Sequence, residues 1–292
     1  MSGLPGLTGF VEITLLLTAP LLLAAAGELL LERSGTLQIG LEGTMLLGAF
    51  CAFAAARSGA TASVALLAGA AAGLVGGLAF ALFAVALRAD PILTGTAWNL
   101  LAAGGTAFAY RLLTGVTGAM LEVPTLHPGP LGVPTIVLAA FLLPPLLHLF
   151  LNHTRPGLVL AAAGETPDGV KGLGYSVVLV RSAASALSGF LAGLGGALLV
   201  VTISATFVEG VTAGRGFLAL AIVVFSRWKP LRLLGASLLV GGATALQYRL
   251  QAGGSSIPYA VFLALPGLLS LAALAVSSSR GGAPRALGTE AP

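Results

Sequence analysis

The sequence predicts an all-α protein, a polytopic bundle of about eight to ten transmembrane helices. Charged residues make up only 8% of the 292-residue chain, whereas an ordinary soluble domain has roughly 25%. Hydrophobic residues make up 57%, and the mean hydropathy is +1.01. The apolar runs are unbroken rather than alternating with polar residues, which argues against an outer-membrane barrel. This composition excludes most cytosolic proteins, because a water-facing surface needs far more charge.

Nine long apolar runs are the candidate membrane helices, because about 20 apolar residues cross the hydrocarbon core of a bilayer. They lie at 13–31, 43–56, 60–87, 92–110, 132–151, 176–201, 217–225, 231–246 and 257–276. Two of them, 43–56 and 217–225, are too short to span the bilayer alone. We therefore expect some helices to be broken inside the bundle, where protein covers the loose backbone.

The basic residues predict the orientation through the positive-inside rule. No Lys or Arg precedes Arg33, so the first run lacks the basic region of a signal peptide and is expected to be retained. An external amino terminus and an internal carboxyl terminus place most basic residues in the cytoplasm: Arg33, Arg155, Lys171, Arg227, Lys229, Arg232, Arg280 and Arg285. The same orientation leaves the Pro-rich segment 124–134 in an external loop.

Two runs carry small residues along one helix face, which allows close packing of helices in a bilayer. The faces are Gly69, Gly73 and Gly77 in the first run, and Ser185, Gly189 and Gly193 in the second. Packing inside the bundle is the preferred interpretation, and a contact between subunits is the alternative. Residues 1–276 are expected to form the membrane domain, whereas 277–292, rich in Gly, Ala, Pro and Ser, is expected to be disordered.

Groups that perform chemistry are scarce in this chain. The three histidines lack the spacing of a zinc site, and the single Cys51 excludes thiolate zinc sites, so no metal is expected. Neither Lys171 nor Lys229 sits in a phosphate-binding P-loop, so any ATP that drives the protein must bind to another chain. The scattered basic residues leave no footprint for nucleic acid. Ser237, in a Gly-x-Ser triplet, is a weak candidate for an intramembrane nucleophile.

Charged residues within apolar sequence are functional candidates by default, because burying them in a bilayer is expensive. They are Glu28, Glu32, Arg33, Glu42, Glu209 and Arg215. A structural role is the alternative for each, since Glu and Arg also pair with one another or cap broken helices.

Four blocks of the sequence resemble one family. The run 32–49, with Glu32, Arg33, Ser34, Gly35, Gly40, Glu42 and Gly43, resembles the signature of permease subunits of bacterial ABC importers for nucleosides and simple sugars. These subunits belong to the wider branched-chain amino acid and ribose permease family. A second block surrounds Asn99, a third is Gly164-Glu165-Thr166-Pro167, and a fourth contains Glu209, Gly210, Gly214 and Arg215. The sequence departs from the family pattern at Gln38 and Thr166, where Asn is usual, and at 168–171.

The resemblance implies a function for each block. The loop at about 155–175, with Gly164, Glu165, Thr166, Pro167 and Asp168, would be cytoplasmic and would dock on the ATPase. Its residues suit a short helix, because Thr166 can cap it, Pro167 fits its first turn and Asp168 favours its positive end. The charged and Gly-rich residues of the other blocks become candidates for the translocation path.

By the same resemblance, the chain would be the transmembrane subunit of a binding-protein-dependent importer in the bacterial cytoplasmic membrane, with nucleosides favoured over simple sugars. Its partners would be an ABC ATPase that binds the ATP, a second related or identical permease, an extracytoplasmic substrate-binding protein and membrane lipid. No cofactor is expected in this chain. The alternative from the residues is a stand-alone secondary transporter or channel in which Glu42 or Glu209 relays protons.

Overall fold

The structure is a computed structural model that describes residues 7–115, 122–252 and 282–288. Within these ranges the regular secondary structure is helical, as the sequence predicted. The helices are α1 (Leu7–Arg33), α2 (Leu41–Arg57), α3 (Ala62–Phe80), α4 (Pro91–Thr114), α5 (Thr135–Ala140), α6 (Leu143–His153), α7 (Arg155–Glu165), α8 (Pro167–Gly172), α9 (Val177–Leu198), α10 (Arg215–Ser226) and α11 (Pro230–Ala252).

Each of the first eight predicted apolar runs falls on helix, and the ninth, 257–276, lies outside the described residues. Two long helices continue as π-helical turns, α3 through Ala81–Ala86 and α9 through Leu199–Ser204. Within the described residues, four segments are long and apolar enough to cross a membrane: Thr8–Arg33, Ala62–Ala86, Thr135–His153 and Val177–Ser204. The two short runs correspond to α2 and to the 12-residue α10.

Helix α1 lies in the middle of the bundle. Its second half is enclosed on all sides, so that Leu22, Leu29 and Leu30 have no exposed surface. It packs against α9, α10 and α11, while α2 and α3 pack on the other side of α9. The part of the core around α1 is thus rich in small and aliphatic side chains, whereas Phe53, Tyr110 and Phe207 form an aromatic cluster elsewhere in the core.

The two small-residue faces pack against each other, which confirms the interpretation as packing inside the bundle. A Cβ at Gly73 would lie 2.2 Å from the carbonyl oxygen of Gly189, and a Cβ at Gly193 would lie 2.4 Å from that of Gly69. The hydroxyl of Ser185 donates to the carbonyl of Gly77 at 2.8 Å. Helices α3 and α9 therefore meet with their backbones in contact, a distance that only glycine permits.

The bundle has two ends with different charge. The end that holds Gly164 also holds most of the basic residues: Arg33, Arg88, Arg155, Lys171, Arg181, Arg227, Lys229, Arg232 and Arg285. The opposite end holds Arg57, Arg111 and Arg249 at the ends of their helices. The positive-inside rule assigns the first end to the cytoplasm, and we call it the cytoplasmic end. Helix α1 runs toward it, so Leu7, where the helix begins, lies toward the opposite end of the bundle; the external amino terminus stays a prediction.

Part of the carboxyl-terminal tail is described. At 282–288, the backbone N–H of Ala286 donates to the carbonyl of Gly164 at 2.8 Å, and Ala286 is buried. This stretch of the tail therefore packs on the cytoplasmic end. The rest of the tail expected to be disordered, 277–281 and 289–292, lies outside the described residues.

Candidate functional site

Glu42, in the first turn of α2, holds the beginning of α10. Its Oε1 accepts hydrogen bonds from the Thr212 hydroxyl at 2.6 Å and from the backbone N–H of Gly214 at 2.9 Å. Its Oε2 accepts one from the backbone N–H of Gly216 at 2.6 Å. A helix N-terminus has unpaired N–H groups and a partial positive charge, and a carboxylate satisfies both. Glu42 is thus a cap supplied by a distant helix, one of the two roles that the sequence left open.

The close approach of Glu42 also explains a glycine. A Cβ at Gly216 would lie 2.5 Å from the Cα of Glu42, so any larger residue would push α10 away from α2. The two short helices are therefore fixed to each other through backbone contact and hydrogen bonds together.

Asn99 on α4 holds the beginning of α2 in the same way. Its Oδ1 accepts from the backbone N–H of Gly43 at 2.7 Å, and its amide donates to the carbonyl of Ile39 at 3.0 Å. A Cβ at Gly43 would lie 2.9 Å from the Cα of Asn99, and one at Gly40 would lie 3.2 Å from the Cα of Gly95. The structure thus brings together Gly40, Gly43 and Asn99, which the sequence placed in two separate blocks.

The loop before α10 reaches the opposite end of the bundle. Glu209 accepts from the guanidinium of Arg111 at 2.9 Å, in an ion pair whose side chains are 70% exposed for Arg111 and 42% for Glu209. The hydrogen bond from Arg111 holds the pKa of the Glu209 carboxyl below its usual range. Arg215 donates to two carbonyls of its own loop, those of Val211 and Thr212, both at 3.2 Å.

Two glycines of this loop have backbone angles that other residues rarely adopt. Gly210 has φ +71° and Gly214 has φ +80°, in the left-handed region that favours glycine. Nothing lies within 4 Å of a Cβ at either position, so conformation rather than space requires glycine there.

A second cluster lies at the cytoplasmic end of α1, around Glu28 and Glu32. Glu28 accepts from the backbone N–H of Gln38 at 2.9 Å and from the hydroxyl of Ser188 at 3.4 Å. Glu32 accepts from the indole N–H of Trp228, which follows α10. Both carboxylates are almost completely buried. They therefore connect the end of α1 to α9 and to the junction between α10 and α11.

The predicted docking loop packs on the same end of α1. A Cβ at Gly164 would lie 2.2 Å from the carbonyl oxygen of Arg33, and 3.2 Å from the backbone N of Gly35. Ser34 is buried, and its carbonyl accepts from Nε of Arg181 at 3.1 Å. The predicted residues Arg33, Ser34, Gly35 and Gly164 therefore form one contact, although 129 residues separate Gly35 from Gly164.

The remaining residues of the loop behave only partly as expected. Glu165, Thr166 and Asp168 are exposed, and Pro167 begins the short helix α8 as predicted. Thr166 occupies the cap position, but its side chain makes no capping hydrogen bond, so that part of the prediction was wrong. Thr166 is also the residue that follows the end of α7, and its backbone N–H donates to the carbonyl of Ala162 at 2.8 Å. The backbone conformation of Thr166 therefore has to fit both the end of α7 and the beginning of α8. Asp168 pairs with Lys171 at 3.8 Å.

The structure gives no support to the alternatives. Glu42 accepts three hydrogen bonds and Glu209 is paired with Arg111, so neither has the setting of a proton relay. Ser237 is buried, and among the described residues no group hydrogen-bonds to its Oγ. Among the described residues, therefore, no base is hydrogen-bonded to Ser237, as a serine nucleophile requires.

Sequence reasoning missed two partners of these clusters. Thr212 was not singled out, although it binds Glu42, and Arg181 was not singled out, although it is buried against Ser34. An arginine inside an apolar run is the signal that could have identified Arg181.

The described residues thus form a bundle of apolar helices in which side chains of other helices cap α2 and α10, and the loop that contains Gly164 packs on the end of α1. The chain belongs to the family described as the permease component of the branched-chain amino acid transport system, whose sequence model matches residues 10–274. This match confirms the resemblance found in the sequence. It also confirms the location in the bacterial cytoplasmic membrane and the role as a permease subunit of an ABC importer.

Two curated relatives are similar over most of their length. The guanosine ABC transporter permease protein NupQ of Bacillus subtilis (strain 168) is 34% identical over 302 aligned positions, which cover 95% of this chain and 94% of the relative. The nucleoside ABC transporter permease protein NupC of Lactococcus lactis subsp. cremoris (strain MG1363) is 31% identical over 245 positions, which cover 74% of each chain.

Proposed function

We propose that this permease moves nucleosides into the cell. The observation that carries the proposal is the 34% identity over 95% of the chain with a permease named for guanosine. A second relative, named for nucleosides, supports the same substrate class. Simple sugars are the alternative that the sequence left open.

The substrate is tested by uptake into bacterial cells that lack their own nucleoside importers and produce this chain with its partner subunits. We expect labelled guanosine to accumulate and unlabelled adenosine to compete with it. Accumulation of labelled ribose without accumulation of guanosine would contradict the proposal. A strain that produces the partner subunits without this chain is the control for leakage.

We infer that the importer contains an ATPase bound at residues 155–175, a second permease and an extracytoplasmic binding protein. The exposure of Glu165, Thr166 and Asp168 on the cytoplasmic end supports the docking role. Gentle solubilisation of tagged membranes is expected to recover the ATPase and a permease with this chain. Recovery of this chain alone, under conditions that preserve known importers, would contradict the inference.

The contact between Gly164 and Arg33 gives the docking loop a route to the rest of the bundle. A movement of α7 presses on the end of α1, because the two backbones touch there. Glu32 links that end to Trp228 at the base of α10, and Glu42 links the start of α10 to α2. ATP-driven closure of the ATPase is then passed to the short helices, and access to the central path changes sides.

Within this mechanism, Glu42, Asn99, Gly43 and Gly214 are positioning residues of the translocation path. They set the placement of α2 and α10, and they do so through the hydrogen bonds described above. Glu209, Gly210 and Arg215 shape the loop that leads into α10.

Two substitutions test the docking loop. Gly164→Val is expected to abolish uptake while the protein remains in the membrane, because the side chain would collide with the Arg33 carbonyl. Gly172→Val, in the same loop, is the matched control, because nothing lies within 4 Å of a Cβ at that position. Glu165→Pro is expected to abolish uptake as well, since it disrupts the end of α7. Normal uptake by either test variant would contradict the docking role.

A further inference from the structure

A polar pocket lies at the cytoplasmic end, separate from the clusters around Glu42 and Glu32. Its volume is about 140 Å³. Its walls come from the turn after α1, the π-helical turn that follows α3, the segment leading into α4, the beginning of α9 and Gly288 of the carboxyl-terminal tail. Three charged residues line it: Arg88, Asp90 and Arg181.

Arg181 is a buried cation without a counter-charge among the described residues. It is 2% exposed, and its Nε donates to the carbonyl of Ser34 at 3.1 Å. Its Nη2 is buried without a hydrogen-bond partner, and no ion pair of Arg181 is found within residues 7–115, 122–252 and 282–288. Burying an unpaired cation in this way is expensive, so a buried arginine normally has an anionic partner.

The rest of the pocket also favours an anion. Arg88 lines it from the connection between the π-helical turn and α4, where its backbone has φ +55°, a strained conformation for a residue other than glycine. The single carboxylate, Asp90, has its Oδ1 engaged by the backbone N–H groups of Ile92 and Leu93, at 2.7 and 3.0 Å. The two arginines therefore leave the pocket with a net positive charge.

We propose that this pocket binds a phosphoryl group, supplied either by the headgroup of an anionic lipid or by free phosphate. A guanidinium presents its N–H groups in a fork that matches phosphate oxygens. Basic pockets between transmembrane helices on the cytoplasmic side lie at the level of lipid headgroups and bind them. The nucleosides proposed as substrates carry no phosphate, so the proposed ligand of this pocket differs from the transported substrate.

An anion bound in the pocket would stabilise the turn at Ser34 and Gly35, on which the docking loop packs. Arg181 contacts Ser34, and its Nη2 would lie 2.8 Å from a Cβ at Gly35, so the guanidinium rests against this turn. Gly164 packs against the same turn, with its Cα 3.3 Å from a Cβ at Gly35. An anion that fixes Arg181 therefore fixes the surface on which the docking loop rests.

The test uses the purified importer with all of its subunits, in nanodiscs of zwitterionic phosphatidylcholine. Sodium phosphate is titrated against sodium chloride at equal ionic strength, and the midpoint of thermal unfolding is measured. A second set of nanodiscs contains phosphatidylglycerol and no phosphate. The test variants are Arg181→Gln and Arg88→Gln; because Arg88 is exposed, its substitution should disturb folding less. The control is Arg57→Gln, which makes the same change in charge at an exposed position at the opposite end of the bundle.

We expect the parent and Arg57→Gln to be stabilised equally. In Arg181→Gln, the concentration or lipid fraction needed for half of the stabilisation should rise at least about tenfold, as expected for the loss of a hydrogen bond to a charged group. Arg88→Gln should weaken binding by a smaller factor. Stabilisation by phosphatidylglycerol alone identifies a lipid headgroup, and stabilisation by phosphate in zwitterionic discs identifies free phosphate; either outcome supports the proposal.

Equal stabilisation of the parent and both pocket variants would overturn the proposal, because the anion would then act elsewhere, for example on the ATPase. A carboxylate of this chain is the competing occupant, since Glu290 follows two residues after Gly288, which lines the pocket. If Glu290→Gln lowered the stability as much as Arg181→Gln, and neither phosphate nor phosphatidylglycerol stabilised the parent, an internal ion pair would replace the proposed site.

Discussion

Removal of the Glu42 carboxylate is the most direct perturbation of the link between α2 and α10. In Glu42→Ala, the N–H groups of Gly214 and Gly216 and the hydroxyl of Thr212 lose their acceptor. A hydrogen bond to a charged group contributes about 1.5–3 kcal/mol, and a buried donor left unsatisfied costs about 1–3 kcal/mol. Two backbone donors at a helix N-terminus therefore predict a loss of about 3–6 kcal/mol in the free energy of unfolding.

Glu42→Gln separates hydrogen bonding from charge. The amide oxygen still accepts, while the second oxygen and the charge at the helix N-terminus are lost, so we expect a smaller loss of about 1–3 kcal/mol. The free energy is measured by titrating the purified protein with sodium dodecyl sulfate and following the loss of tertiary structure. Glu122→Ala, at an exposed position, is the control.

Two results would refute this reasoning. An alanine variant as stable as the parent would mean that Glu42 does not hold α10. A glutamine variant that keeps the full stability of the parent but loses uptake would assign Glu42 a protonation step instead of a structural one.

Three further predictions rest on single contacts. Gly73→Ala should destabilise the bundle by about 1–3 kcal/mol through overpacking, whereas Gly104→Ala, where a Cβ meets nothing within 4 Å, should not; equal unfolding midpoints would contradict this. Trp228→Phe removes the donor to Glu32 and should lower both the unfolding midpoint and the uptake rate; an unchanged rate would separate this bond from transport. The ion pair with Arg111 lowers the pKa of Glu209, so it stabilises the protein at pH values above the ordinary carboxyl pKa, and this stabilisation is lost as the pH falls through the lowered pKa. The Glu209→Gln variant should therefore lack this acid-dependent loss of stability. An unfolding profile identical to that of the parent at every pH would contradict the pairing.

The sequence predicted a docking loop and resembled the family in four blocks, but it did not predict the contacts of these segments. Residues 164–168 were predicted to lie in a cytoplasmic docking loop, and Pro167 begins a helix there as predicted. The capping bond of Thr166 was inferred from its residue type and position, and the side chain does not form it. Local sequence gives the tendency to cap, whereas the backbone angles shared by two adjoining helices determine whether the side chain can reach the N–H groups.

The sequence by itself determined the fold class, the positions of the first eight apolar helices and the small-residue faces of α3 and α9. These features follow from composition and periodicity, which act over one or two helical turns. Only the tertiary structure decided that Glu42 caps α10, 170 to 174 residues away, that Asn99 caps α2, and that Gly164 rests on Arg33. In a bilayer every helix presents a similar apolar surface, so the choice of neighbours depends on where backbones approach closely and where polar groups find partners, and these conditions are satisfied only in the assembled bundle.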